Sequence, residues 1–297
     1  MKYFTVAGED RTLDGITRRQ LRGSYIDLTD GVTHYELRGP TNGPVVVLVP
    51  GLTIPLFYWD SVAAELHSRG LRTLAFSAYG RGYSERVRTD YTEALFSRQL
   101  RELVAELQLP THHLVGTSMG ALIAMGYVAA EADSVASLTL VGPAGLSGAN
   151  TRQQRLLRSD LLATLVAKRS GRRILLGHLE HNVADPALVP QLKTMISDAY
   201  RYEGSMYAFF STLQNFPLSS RGLLFRGVGE RKVPTQLLWG TNDQVTPITG
   251  LDDARALLQP AETHLLQCGH MAPYERPLDV AEHLVSFTTA HHDRITS

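Results

Sequence analysis

The stretch Leu114-Val115-Gly116-Thr117-Ser118-Met119-Gly120 places a serine between a short apolar segment and a run of small residues that continues to Ala130. Leu114-Val115 is typical of a buried strand, and Met119 to Ala130 is typical of a helix. Glycines on both sides of Ser118 suit a sharp strand-to-helix turn, because such a turn is crowded and its backbone is strained. This G-x-S-x-G pattern predicts a nucleophile elbow, with the Met119 N–H directed at a developing oxyanion.

Strands and helices alternate on both sides of the elbow. We predict strands at Tyr25–Leu28, Val32–Leu37, Val45–Val49, Leu71–Phe76, Leu138–Val141, Gln236–Trp239 and Thr263–Leu266, and helices at Trp59–Arg69, Tyr91–Leu107, Ala254–Leu258 and Leu278–Phe287. The first two strands flank Thr29-Asp30-Gly31, which indicates an antiparallel hairpin. The later alternation predicts an α/β fold, with a mostly parallel central sheet and helices on both faces.

One long segment, 147–232, interrupts this alternation, because its pattern is helical and contains no convincing strand. We expect it to be an inserted helical cap between two parts of the core, 24–146 and 233–297. Residues 1–23 carry mixed charge without clear periodicity, so we expect an N-terminal arm, with regular structure beginning near Ser24.

The charges are balanced overall but unevenly distributed. The chain has 29 Lys and Arg against 29 Asp and Glu, which disfavours a nucleic-acid-binding protein. The predicted cap holds 13 basic and 6 acidic residues, leaving 16 basic and 23 acidic residues elsewhere. Cap and core should therefore attract each other, and closure over a site between them should weaken as salt concentration rises.

Basic residues and leucines interleave in the first part of the predicted cap, between 152 and 173. The cations are Arg152, Arg155, Arg158, Lys168, Arg169, Arg172 and Arg173. A solvated helix face is the simplest explanation of this amphipathic pattern. The alternatives are attraction to the acidic core, to an anionic substrate or to a membrane surface.

Cysteine content and hydropathy bear on the cellular location. Cys268 is the only cysteine, so no internal disulfide can form, and we expect a cytoplasmic protein of a reducing compartment. No run of about 18 apolar residues is present, so integral membrane association is not expected. Cys268 itself is interpreted as a small buried residue rather than a reactive thiol.

A serine nucleophile needs a base to take its proton and a carboxylate to orient that base. Two late strand ends supply the candidates: Asp243 follows the strand that ends at Trp239, and His270 follows the strand that ends at Leu266. Asp252 and Asp253 are alternative acids, although they fall inside the next predicted helix.

His178 and His181 have helical spacing with Glu180 between them, a pattern that could suggest a metal site. No second pair of potential ligands accompanies these residues, so we expect neither a metal nor a cofactor.

Four motifs together resemble the α/β-hydrolase fold family over about residues 24–287. They are the elbow, Gly80-Arg81-Gly82-Tyr83-Ser84, Gly240-x-x-Asp243-x-x-x-Pro247, and Gly269-His270 followed by Tyr274-Glu275-Arg276-Pro277. The cap makes the chain most similar to a group of small esterases, lactonases, meta-cleavage-product hydrolases and monoacylglycerol lipases. The resemblance implies a Ser118, Asp243 and His270 triad, a second oxyanion donor at the Leu52 N–H, and a lid over an acyl pocket.

Two positions depart from the family pattern. The loop after the third strand usually carries His-Gly, whereas this chain has Pro50-Gly51, and the fourth strand usually ends at an Asp, whereas this chain has Ser77. Both usual residues support the site and neither belongs to the triad.

The expected function is hydrolysis of a small-molecule ester or lactone by a serine hydrolase. We expect Val245, Met271, Met206 and Phe210 to contribute to substrate binding, and a homodimer is possible. One alternative is cleavage of a carbon–carbon bond in a vinylogous diketone, which uses the same triad. The other, suggested by Pro50 and Ser77, is a non-hydrolytic ligand-binding or cyclising protein.

Overall fold

The computed structural model describes residues 1–146 and 159–292. Its described residues form a central sheet of eight strands, in the spatial order β1-β2-β4-β3-β5-β6-β7-β8. The strands are β1 (Ser24–Leu28), β2 (Gly31–Arg38), β3 (Val45–Val49), β4 (Arg72–Phe76), β5 (His112–Thr117), β6 (Val135–Val141), β7 (Thr235–Gly240) and β8 (Glu262–Leu266). β2 pairs antiparallel with β1 and β4, and every other pairing is parallel. The predicted mostly parallel sheet is confirmed.

Helices flank this sheet, and each predicted strand and helix is present with ends shifted by at most three residues. The helices are α1 (Gly15–Gln20), α2 (Asp60–Ser68), α3 (Glu93–Glu106), α4 (Met119–Glu131), α5 (Asp160–Glu180), α6 (Val189–Ala199), α7 (Ser205–Asn215), α8 (Gly222–Glu230), α9 (Leu251–Leu258), α10 (Ala272–Glu275) and α11 (Pro277–Ala290). α2 packs against α11, whereas α4 packs against α3 and α8.

The central strands determine where chemistry can occur. β3, β5, β6 and β7 are buried along their whole length, as expected of parallel strands covered on both faces. In an open α/β sheet, ligands bind beyond the carboxyl ends of such strands. Ser118 directly follows β5, and Asp243 and His270 follow β7 and β8 at the same edge.

The segment between β6 and β7 contains the residues for which the sequence predicts a cap, 147–232. Its described residues contain α5 to α8 and no strand. Residues 147–158 lie outside the described part of the chain, and so do the predicted cationic positions Arg152, Arg155 and Arg158.

The first 23 residues differ from expectation, because regular structure begins before Ser24. They include α1, whose N-cap Asp14 accepts a hydrogen bond from the Thr17 N–H at 2.7 Å. Arg11 also forms a backbone bridge to the segment between β6 and β7, donating to Arg201 O at 3.1 Å and accepting from the Glu203 N–H at 2.9 Å. Local periodicity could not indicate this, since the partners lie about 190 residues away along the chain.

Candidate active site

The turn at Ser118 has the strained geometry that its flanking glycines predict. Ser118 has φ +54° and ψ −118°, outside the regions most side chains prefer. A Cβ on Gly116 would lie 2.5 Å from the Gly120 carbonyl oxygen, and a Cβ on Gly120 would collide with the Val49 carbonyl. Only glycine therefore fits at these two positions, and the tight packing holds the serine at the end of β5.

Asp243 and His270 are joined by a short hydrogen bond, in which His270 Nδ1–H donates to Asp243 Oδ2 at 2.8 Å. Both side chains are buried, the carboxylate completely and the imidazole to within 4%. Because Nδ1 carries the proton, Nε2 of the neutral ring is left with a lone pair that can accept one.

The Asp243 carboxylate has a full set of donors besides the histidine. Oδ1 accepts from the N–H groups of Val245 and Thr246 at 2.8 Å each, and the Thr246 hydroxyl donates to Oδ2 at 2.7 Å. Burial by itself raises the pKa of this carboxyl, but the hydrogen bonds from His270 and Thr246 outweigh it, and the net pKa lies below its ordinary value. Asp243 is therefore ionised when it orients His270.

Thr246 and Gly142 were missed by sequence reasoning, although both shape this pair. Thr246 Oγ1 lies 3.2 Å from His270 Nδ1 and 3.2 Å from the Gly142 carbonyl oxygen. Gly142 has φ +48°, and a Cβ there would lie 3.1 Å from Asp243 Oδ2. The sequence offered one signal of this close approach to Asp243: a glycine, Gly142, stands directly after the apolar run of β6.

The alternative acids have no such environment. Asp252 and Asp253 lie in the first turn of α9, as their helical placement predicts, and the Asp252 side chain is 95% exposed. Asp252 pairs with Arg255 on the same helix.

A cavity of about 310 Å³ opens in front of the elbow. It is lined by Gly51, Leu52, Thr53, Ile54, Thr117, Ser118, Met119, Ala144, Ile174, His178, Asn182, Phe209, Leu213, Leu218, Val245, Thr246, His270 and Met271. Ser118 and His270 thus share one cavity with Leu52 and Met119, the two expected oxyanion donors. As the first residue of α4, Met119 has an N–H with no acceptor inside its helix.

Of the four expected substrate-binding residues, Val245 and Met271 line this cavity, whereas Met206 and Phe210 are not among its described lining residues. Met206 and Phe210 are buried against α5, where a Cβ on Gly171 would lie 2.8 Å from Met206 Cε and 3.1 Å from Phe210 Cε2. Phe209 and Leu213 line the cavity in their place. Residues three, four and seven apart share a helix face, so all four positions lie on one face of α7, and the cavity is reached from that face by Phe209 and Leu213.

Ser77, which stands where the family usually has Asp, supports the loop that carries Leu52. Burial lowers the pKa of His34 to about 4, so its ring is neutral. His34 Nε2–H donates to Arg22 O at 2.9 Å, and Nδ1 therefore accepts from the Ser77 hydroxyl at 3.1 Å. The same Ser77 Oγ accepts from the Leu56 N–H at 3.1 Å, which fixes the far end of the loop.

The structure also bears on the metal site and the cysteine that the sequence analysis considered. Within 1–146 and 159–292, no cluster of three or more His, Cys, Asp or Glu side chains is arranged to hold a metal. Cys268 is buried, and burial raises the pKa of its thiol to about 12. None of the described helices combines the length and apolar character that crossing a bilayer requires.

Comparison with known proteins agrees with the geometry. The family described as alpha/beta hydrolase fold matches residues 44–277. Monoacylglycerol lipase ABHD6 of Bos taurus is 28% identical over 286 residues, covering 90% of this chain and 82% of the relative.

Two solved structures share the fold at low identity. An enol-lactonase from Burkholderia xenovorans LB400 superposes with a TM-score of 0.77 at 22% identity, over 90% of this chain and 100% of the other. A thermophilic esterase from Thermogutta terrifontis gives 0.76 at 21% identity, over 92% and 100%. The resemblance inferred from the motifs is confirmed: the chain belongs to the α/β-hydrolase fold family.

Proposed function

We propose that this protein is a serine hydrolase that cleaves a carboxylic ester or lactone with an apolar acyl part. One observation carries the proposal: Ser118, at a strained elbow, and His270, oriented by Asp243, line the same mostly apolar cavity. A nucleophile, a base with its orienting carboxylate, and a site for the substrate are the parts that acyl transfer requires.

In the proposed reaction, His270 Nε2 takes the Ser118 proton as Oγ attacks the carbonyl carbon. The N–H groups of Leu52 and Met119 donate hydrogen bonds to the oxyanion, and His270 then protonates the departing alcohol oxygen. A water molecule, deprotonated by His270, attacks the acyl-enzyme and releases the acid and free Ser118.

The walls of the cavity favour a substrate with an apolar acyl chain. Ile174, Phe209, Leu213 and Leu218 come from the segment interpreted as a cap, and they face the elbow with aliphatic and aromatic surface. The names of the similar proteins, a monoacylglycerol lipase, a lactonase and an esterase, are consistent with cleavage of ester bonds.

Carbon–carbon bond cleavage in a vinylogous diketone is the second candidate, because it would use the same triad. It predicts high activity on a dienoic ring-fission product and little on simple esters. A non-hydrolytic ligand-binding or cyclising role is the third, and it predicts that Ser118 does not react with a fluorophosphonate.

The test is an activity screen over acyl esters of graded chain length, lactones and a ring-fission diketone, with Ser118→Ala as the blank. We expect ester or lactone turnover that Ser118→Ala abolishes, together with fluorophosphonate labelling of Ser118 alone. Turnover that survives in Ser118→Ala would contradict the proposed mechanism.

The domain division, location and oligomeric state are proposals as well. We propose that residues 147–232 act as a lid over the cavity, and that the protein is cytoplasmic, with a homodimer possible. Analytical ultracentrifugation tests the oligomeric state, and fractionation of cells expressing the full chain tests the location.

A further inference from the structure

Arg81 is completely buried and connects three separate parts of the molecule. Its Nε–H donates to the Leu52 carbonyl at 2.8 Å, and Nη1–H donates to the Tyr79 carbonyl at 3.0 Å. Its Nη2–H donates to the Thr212 hydroxyl of α7 at 2.9 Å. One side chain therefore joins the Leu52 loop, the loop after β4 and a helix between β6 and β7.

No acidic side chain in the described part of the chain pairs with this guanidinium. Two neutral carbonyls and a hydroxyl accept its hydrogen bonds, and the rings of Tyr91 and Phe96 lie 5.7 and 5.5 Å from its Cζ. Burying an unpaired charge is unfavourable, and it lowers the pKa of Arg81 below its ordinary value. A buried charge without an acidic partner does not stabilise the fold, so a gain in stability does not explain Arg81. A role in fixing local geometry does, because a planar guanidinium holds several acceptors in fixed directions.

Both ends of this connection reach the cavity. Leu52 is the expected oxyanion donor, and the loop that carries it is held at its other end by Ser77 Oγ and the Leu56 N–H. Thr212 lies on α7 beside Phe209 and Leu213, which form part of the cavity wall. Arg81 therefore links the loop that carries Leu52 to the helix that carries this part of the cavity wall.

We propose that Arg81 is a positioning residue for catalysis. By holding the Leu52 carbonyl it orients the Leu52 N–H, and by binding Thr212 it fixes the position of that loop relative to α7. The inference rests on the proposed hydrolase function. It also accounts for the departure at Pro50: the loop lacks the usual histidine, and a buried arginine holds it through the Leu52 carbonyl instead.

Arg86 offers a matched control, because it is a second buried arginine that connects the same loop region to the cap. Its guanidinium donates to the carbonyls of Gly82, Ser84 and Ala199 at 2.6–2.8 Å and to Ser205 Oγ at 3.1 Å. None of these acceptors belongs to the loop that carries Leu52. Arg86 therefore has the same chemistry and nearly the same burial, without contact to the oxyanion donor.

The experiment compares Arg81→Lys with Arg86→Lys, since lysine keeps the charge but cannot hold three acceptors in a plane. For Arg81→Lys we expect kcat on the best ester to fall about 10- to 100-fold with KM nearly unchanged, because the oxyanion donor acts only in the transition state. The inhibition constant of an alkylboronic acid, which forms a tetrahedral adduct at Ser118, should rise by a similar factor. Arg86→Lys should lower the melting temperature while keeping kcat within about twofold of wild type.

Thr212→Val is the second variant, since it removes the acceptor on α7 without changing side-chain shape. It should fold like wild type and shift kcat in the same direction as Arg81→Lys by a smaller factor. Equal losses of kcat in Arg81→Lys and Arg86→Lys, or unchanged kcat in Arg81→Lys and Thr212→Val, would overturn the inference. A wild-type protein that neither cleaves esters nor reacts with a fluorophosphonate would instead overturn the proposed function.

Discussion

The two walls of the cavity differ in chemistry and in how they are held. The core wall consists of loops at the strand ends and carries Ser118, Thr246 and His270, whose neighbours form a buried hydrogen-bond network. The other wall, called the cap wall because the sequence predicts a cap there, has Ile174 and His178 on α5 and Phe209 and Leu213 on α7. Asn182 and Leu218, in the loops after these helices, complete it, and most of the six side chains are apolar.

We therefore expect reaction type and substrate selectivity to be determined by different parts of the cavity. Directional bonds to Asp243 and His270 fix the core wall, so small changes there should alter the rate by large factors. Packing holds the cap wall, so changes there should alter which substrate fits. Substitutions in each wall test whether the two roles are as separate as the contacts indicate.

The largest effect is expected in the core wall, from Asp243→Asn. An amide at this position disturbs the tautomer of His270, and the same replacement in a serine protease triad lowers kcat by about 10⁴. We expect a comparable loss of kcat on the best ester, measured by steady-state kinetics. Asp252→Asn, on the exposed side of α9, is the matched control, and an equal loss there would contradict the triad assignment.

The same variant has a pH signature in its stability. The folded-state pKa of Asp243 is depressed, so its stabilising contribution is complete above its ordinary pKa of about 4 and is lost as pH falls through the lower folded value. The free energy of unfolding of wild type relative to Asp243→Asn, from urea titrations, should therefore shrink as the pH is lowered below about 4.

In the cap wall, Leu213→Trp should change selectivity rather than chemistry. The larger ring takes up part of a cavity of about 310 Å³. We expect kcat/KM for long-chain esters to fall at least about tenfold, while short-chain esters change little. Leu223→Trp is the control, since Leu223 is 84% exposed on α8. A uniform loss of kcat/KM for esters of all chain lengths would contradict the prediction that the cap wall determines selectivity alone.

Anchoring of the cap wall is tested by Glu9→Gln in the N-terminal residues. The Glu9 carboxylate accepts from the backbone N–H groups of Met206 at 2.6 Å and Gly204 at 3.1 Å, at the start of α7. An amide satisfies these donors less well, so the free energy of unfolding should fall by about 1–3 kcal/mol. Asp10→Asn is the control: its exposed carboxylate pairs with Arg201, and the free energy of unfolding should stay close to that of wild type because solvent screens exposed ion pairs.

The smallest expected effect is that of salt on the contact between the proposed cap and the core. Arg221 and Glu93 form a bidentate pair at 2.7 Å across this boundary, in addition to the opposite regional charges. We expect the KM of a neutral ester to rise about twofold between low and high salt, as screening shortens the range of attraction. Arg221→Met should reduce the dependence of KM on salt. A wild-type KM that is the same at low and high salt would contradict electrostatic attraction across the site.

The sequence predicted the parts of the site that depend on near neighbours. The elbow needs glycines within two residues of Ser118, and Asp243 and His270 each stand just beyond an apolar strand. Thr246 was missed as a triad partner because nothing in its own segment indicates that a histidine 24 residues later lies beside it. The contacts from Glu9 to Met206 and from Arg81 to Thr212 span 197 and 131 residues, too far for any local pattern.

The alternation of strands and helices, the elbow and the strand-end positions of Asp243 and His270 can all be read from the sequence, because each follows from periodicity or from steric limits within a few residues. Three features required the folded chain: which side chains of α7 line the cavity, how Ser77 and Arg81 support the loop that carries Leu52, and the packing of the first residues on the segment between β6 and β7. These features depend on where distant segments pack, since a buried polar group takes whichever partner the fold brings within hydrogen-bonding distance.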